Sequence, residues 1–175
     1  MSNEESLKWL ERRQLPTPEF ATAEDLFAAI PFREVTALQY TIPTESGRKV
    51  ALARGLFWQL KPESNVLVWL RNWIVWPSRA HIPLVLRLRQ ALGCEQSLEE
   101  APGHLFEASE VDDAISLLIL SLEFSWDCFL FDANRRFMCF VSHDEYLVLM
   151  GTDQSLVNRI GGVFESAEWC RRMAS

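Results

Sequence analysis

The stretch 126–151, WDCFLFDANRRFMCFVSHDEYLVLMG, decides the fold. It holds three apolar runs of strand length, 126–132, 136–143 and 145–151, rich in aromatic and β-branched residues. Between them stand two short polar knots, Asp132-Ala133-Asn134-Arg135 and His143-Asp144-Glu145. Asp, Asn and Ser side chains bond the local backbone and so favour turns. Loops this short join only antiparallel neighbours, so the stretch reads as a three-stranded meander. A turn centred between Ala133 and Asn134 sets Cys128 directly opposite Cys139. Such a pair either crosslinks in an oxidising setting or fills one patch of core, and a reduced protein takes the second course.

Working outward, the residues before the meander supply one strong helix. Ser109 stands at its cap, Asp112 and Asp113 in its first turn, and Val111, Ala114, Ile115, Leu118 and Leu122 form a stripe at helical spacing over 110–122. Residues 94–108 read as a loop around Pro102-Gly103. A helix over 82–92 is punctuated by Pro83 and Gly93. NVLVWLRNWIVWP (65–77) reads as one long strand or two short ones broken near Arg71-Asn72. Residues 45–60 carry a helical stripe of Ala53, Leu56, Phe57 and Leu60, and 35–42 form a strand with Leu38, Tyr40 and Ile42 on one face. Two helices, 3–13 and 22–30, come first. After the meander a last helix runs from Thr152 or Asp153 to about 172, with Gly161-Gly162 a place for it to kink or split.

The expected fold is therefore one α+β domain over 1–175. A mostly antiparallel sheet of about five strands, with the C-terminal meander, is flanked by helices. With 175 residues, 49% of them hydrophobic and 23% charged, the chain is long enough to bury roughly 70% of its unfolded surface. The net charge of −7 disfavours nucleic acid and favours a basic partner. No run of about 18 apolar residues suggests a membrane span, and the charged N-terminus does not read as a secretory signal. A reduced, cytoplasmic setting follows as the expectation.

Few chemistries have sequence marks. There is no G-x-S-x-G elbow, P-loop or G-x-G-x-x-G loop. His81, His104 and His143 fall at element ends without metal-ligand spacing, and no two cysteines form a C-x-x-C pair. No metal or cofactor is expected. His143 beside Asp144 has the residue types of a general base and its orienting carboxylate, but strand neighbours point to opposite faces. With 144–145 as the turn, His143 and Tyr146 would be cross-strand neighbours. Seven tryptophans, three of them Trp69, Trp73 and Trp76 in one run, supply either core or an interface.

The segments WIVWPS (73–78), APGHLFEASE (101–110), WDCFLFD (126–132) and VSHDEY (141–146) resemble small bacterial proteins of unassigned function. The resemblance covers about the last hundred residues and brings no catalytic residue with it. In composition and class the chain is also similar to toxin-neutralising immunity proteins, small acidic α+β domains.

Three functional readings follow. The first is a non-enzymatic interaction module, immunity-like or homodimeric, presenting an acidic and aromatic surface of Trp73, Trp76, Asp144 and Glu145 to a protein partner. The second is a small hydrolase or ligand-binding enzyme with His143 as acid/base and His104 and Asp127 as helpers near a Trp-lined pocket. The third is self-association through an exposed sheet edge.

Overall fold

The computed structural model describes residues 1–17, 36–60, 65–72, 82–91, 93–97, 100–166 and 171–172. The five described helices are α1 (Asn3–Arg12), α2 (Ser46–Leu60), α3 (Ile82–Ala91), α4 (Val111–Glu123) and α5 (Gln154–Ser166). Six strands of four or more residues are β1 (Thr36–Thr41), β2 (Val66–Asn72), β3 (Gly103–Phe106), β4 (Asp127–Asp132), β5 (Phe137–Val141) and β6 (Tyr146–Gly151), and a two-residue strand β7 (Arg171–Arg172) follows. They form one sheet in the order β3-β2-β4-β5-β6-β1-β7, antiparallel at every pairing. The architecture is α+β, with the C-terminal meander β4-β5-β6 at its centre. The predicted helix 22–30, together with Trp73, Trp76 and His81, lies outside the described residues.

The alternation of side chains along each strand gives the sheet two packed faces. One carries Leu38, Tyr40, Val68, Leu130, Val141 and Leu149 against apolar residues of α2, α4 and α5. The other carries Leu67, Trp69, Phe129, Phe131, Phe140 and Met150, and Trp9, Leu10 and Leu15 of the α1 segment pack with them. β4 and β5 are buried along their whole length, which is why WDCFLFD and FMCFV read as nearly continuous apolar runs. α1 starts on a capping box: Ser2 Oγ accepts from Glu5 N–H, and Glu5 Oε2 accepts from Ser2 N–H.

Several expectations are corrected. Residues 103–106 are a strand, not part of a loop; β3 pairs along β2, from Val66 opposite Phe106 to Trp69 opposite Gly103. The last helix does not reach 172: Arg171 and Arg172 pair with Tyr40 and Gln39. Nor is it split at Gly161-Gly162. A side-chain carbon on Gly161 would come within 2.7 Å of Tyr40 Oη and 2.8 Å of Leu38 Cδ1, so the glycine serves close packing of an unbroken helix onto β1. The break near Arg71-Asn72 is present as a register shift between Leu70 and Asn72.

The meander register also differs. Cys139 lies opposite Leu130, and Cys128 opposite Val141. The cysteines share a face diagonally and are free thiols. The turn is displaced because Arg135, at φ 60°, takes the left-handed position that closes it, with its N–H donating to Asp132 O at 2.9 Å. The second turn repeats this plan. Glu145 sits at φ 62° and its N–H donates to Ser142 O at 3.2 Å, while Ser142 N–H donates to Tyr146 O at 2.8 Å. Ser142, rather than His143, is thus the residue that faces Tyr146.

Candidate functional site: the Asp127–His143 hairpin tip

Asp127 opens β4 and His143 follows the end of β5. Antiparallel pairing places the start of one strand beside the end of the other, so residues sixteen apart meet. Asp127 Oδ1 accepts from His143 N–H at 2.8 Å and lies 2.8 Å from the ring Nδ1. The other ring nitrogen, Nε2, lies 3.5 Å from Asp144 Oδ1. Asp144 N–H in turn donates to Ser142 Oγ at 3.2 Å. The Asp127 side chain is 11% exposed, that of His143 36% and that of Asp144 70%, so the cluster grades from buried anchor to solvent.

Partial burial disfavours a charged imidazole at His143. The hydrogen bond to Asp127 and the negative charges of Asp127 and Asp144 together outweigh it, and the pKa lies above the ordinary 6.5. Two carboxylates thus flank the ring and favour its charged form. A small cleft of about 100 Å³ adjoins the tip, lined by Thr44, Lys49, Ser121, Ser125, Ser142 and Glu145 among others. Neither His143 nor a tryptophan lines it.

His104 does not join this cluster. It lies on the edge strand β3, separated from β5 by β2 and β4, which is roughly 14 Å at ordinary strand spacing. It is 7% exposed, and its ring stacks on Phe106 at 6.4 Å between centroids. Burial suppresses its charged form, the positive charges of Arg89 and the N-terminal ammonium add to this, and contacts at Pro102 and Val68 oppose it only in part. The pKa falls from 6.5 to about 4. Neither ring nitrogen finds a hydrogen-bond partner.

Arg89 is the polar core residue that sequence reasoning missed. It sits within a helical stripe and is 1% exposed. Its Nη2 donates to Ala101 O at 2.9 Å, Gln96 O at 3.2 Å, Ser97 O at 3.3 Å and Cys94 Sγ at 3.0 Å, tying these four residues to α3. It makes no ion pair with a carboxylate among the described residues. Its one sequence signal is its place a turn after buried Val85 on the inner side of α3.

Among the described residues, no group of three or more His, Cys, Asp or Glu side chains is placed to hold a metal ion. No helix among them is long and apolar enough to cross a membrane. Compared with models of protein families, with curated proteins and with solved structures, the chain finds no match in any of the three.

Proposed function

We propose that the chain is a non-enzymatic interaction module whose acidic β5–β6 hairpin tip docks a cationic protein surface. The observation that carries this is the clamp of Asp127 on His143. It fixes the turn from below, and Asp144 and Glu145 project from it into solvent. A pre-ordered tip loses less conformational freedom on binding than a floppy one. The net charge of −7 favours encounter with a basic partner. Trp73 and Trp76, the expected aromatic part of such a surface, lie outside the described residues, and the reading rests on the hairpin tip alone.

The test is an NMR titration with a lysine-rich peptide, comparing the native chain with Asp144→Lys/Glu145→Lys. The expected result is salt-sensitive shifts centred on 142–146 that vanish in the double variant. Shifts of equal size in both proteins would overturn the assignment. Native mass spectrometry adds the oligomeric state: a homodimer that dissociates in the double variant would make a second copy the partner.

One observation favours a second reading. A 2.8 Å contact between Asp127 and Nδ1 is the orienting half of an acid/base dyad. In that reading His143 Nε2 moves the proton, without His104. A small-ester hydrolase screen in which His143→Ala matches the native chain would remove it.

A further inference from the structure

Arg12 and Arg13 lie at the C-terminal end of α1, and Arg135 occupies the left-handed position of the β4–β5 turn. The fold brings these distant segments together. Arg135 Nη1 donates to Gln14 Oε1 at 3.2 Å, across 121 residues of sequence. Arg12, Arg13, Gln14 and Arg135 line one open notch of about 260 Å³.

The notch is built rather than accidental in its local geometry. Gln14, at φ 52°, and Arg135, at φ 60°, both hold a backbone region that is costly for residues other than glycine. Arg13 is steadied over the Trp9 ring, 4.1 Å from its centroid, and its Nη1 donates to Trp9 O at 3.4 Å. The nearby Asp132 carboxylate is engaged by Arg136, with Nε at 2.9 Å and the backbone N–H at 3.1 Å. Arg12 and Arg13 make no ion pair with a carboxylate among the described residues.

Two cations at the end of α1 complement its dipole. That does not account for a third delivered to the same hollow by a turn on the sheet. Three guanidinium-bearing side chains lining one open notch make it favourable to an anion. Guanidinium forks match the tetrahedral oxygens of phosphate two at a time and stay charged at every accessible pH.

We infer that the notch formed by Arg12, Arg13 and Arg135 binds a small phosphorylated ligand with two or more negative charges, of which a diphosphate is the simplest. A strip of nucleic acid is a poor fit, because the chain around three cations carries a net charge of −7. β5 runs from this notch at one end to the acidic hairpin tip at the other, so the two sites are separate and fail or stand separately.

The test is titration of the full chain with inorganic pyrophosphate, followed by amide shifts, with orthophosphate, citrate and sodium chloride at matched ionic strength as parallel arms. Saturable shifts at residues 12–14 and 135 are expected with pyrophosphate, and weaker ones with orthophosphate. Arg135→Gly suits the left-handed turn and removes one fork; it should weaken binding about tenfold, as loss of one charge-assisted contact does. Arg13→Gln should weaken it to a similar degree. The proposal is overturned by no saturable shift up to roughly 10 mM pyrophosphate, by equal shifts with chloride, or by unchanged affinity in both variants. Citrate binding as tightly as pyrophosphate would overturn the phosphate assignment in favour of a polycarboxylate.

Discussion

Asp127 holds His143 through a single carboxylate oxygen that takes both the backbone N–H and the ring Nδ1 at 2.8 Å. This contact ties the β5–β6 turn to the first residue of β4. Charge-assisted bonds of this kind contribute more than neutral ones, and removing the acceptor leaves both donors unmet. Asp127→Ala should therefore destabilise the chain by roughly 1–3 kcal/mol in urea titrations. Asp127→Asn keeps an acceptor for the backbone but loses the charge. It should cost less, and NMR titration should show the His143 pKa moving down towards 6.5. A His143 titration curve unmoved by that substitution would mean that the carboxylate does not hold the ring.

The two described histidines make stability depend on pH in opposite directions. For His104 the folded pKa, about 4, lies below the unfolded 6.5. As pH falls through that window the unfolded chain takes up the proton first, so stability drops by up to about 1.4 kcal/mol per pH unit. His104→Leu should flatten the acid side of the stability curve and leave stability at pH 7 equal or higher, since both ring nitrogens lack partners. For His143 the folded pKa is raised. Its contribution is fully present below 6.5 and is lost as pH rises through the folded value. His143→Asn should thus lose stability mainly below neutrality and converge with the native chain at alkaline pH. Denaturation midpoints of the three proteins across pH separate these effects.

Gly151 and Gly162 predict opposite responses to one added methyl group. At Gly151 the new carbon would stand 2.5 Å from the backbone oxygen of Arg136 and 2.7 Å from Val157 Cγ2. Backbone cannot yield as a side chain does, so Gly151→Ala should cost roughly 1–3 kcal/mol or more. At Gly162, exposed within α5, nothing lies within 4 Å. There Gly162→Ala should stabilise by about 0.4–1 kcal/mol through lost freedom of the unfolded chain. Equal midpoint shifts for the two variants would contradict the packing described.

The cysteines differ in access. Burial pushes the Cys128 thiol up to about 12 and that of Cys139 well above its ordinary value, with the neighbouring Cys128 adding to the latter. Cys94 is half-buried at the exit of α3. Mass spectrometry after brief iodoacetamide treatment of the native chain should find Cys94 carbamidomethylated, and Cys128 and Cys139 modified only on unfolding. Early labelling of Cys128 would show that the centre of the sheet opens readily.

Local chemistry made much of the fold legible in the sequence. Residues 110–122 declare a helix by a 3.6-residue stripe behind acidic residues, and α4 occupies Val111–Glu123. Two polar knots between apolar runs declare two turns, and both are present. Asp127 was legible only as one of two helpers of His143, beside His104; its contact with the ring follows from the observed register. The register itself was beyond the pattern. Sliding a strand by two residues keeps every side chain on its own face, so the hydrophobic alternation is blind to it. Only the left-handed residue that closes the turn, Arg135, decides it. β3 is four residues long and shows no period of its own; it exists because β2 offers an edge to pair with. For Arg171 and Arg172 the edge of β1 likewise overrides the helical reading. The separation of His104 from His143 and the meeting of Arg12 and Arg13 with Arg135 are facts of strand order and of the packing of α1. The sequence by itself determined the elements, their turns and which faces are apolar, because these depend on neighbours a few residues away. The tertiary structure alone decided the register, the edge pairings and the convergence of charges, because those depend on contacts between residues far apart along the chain.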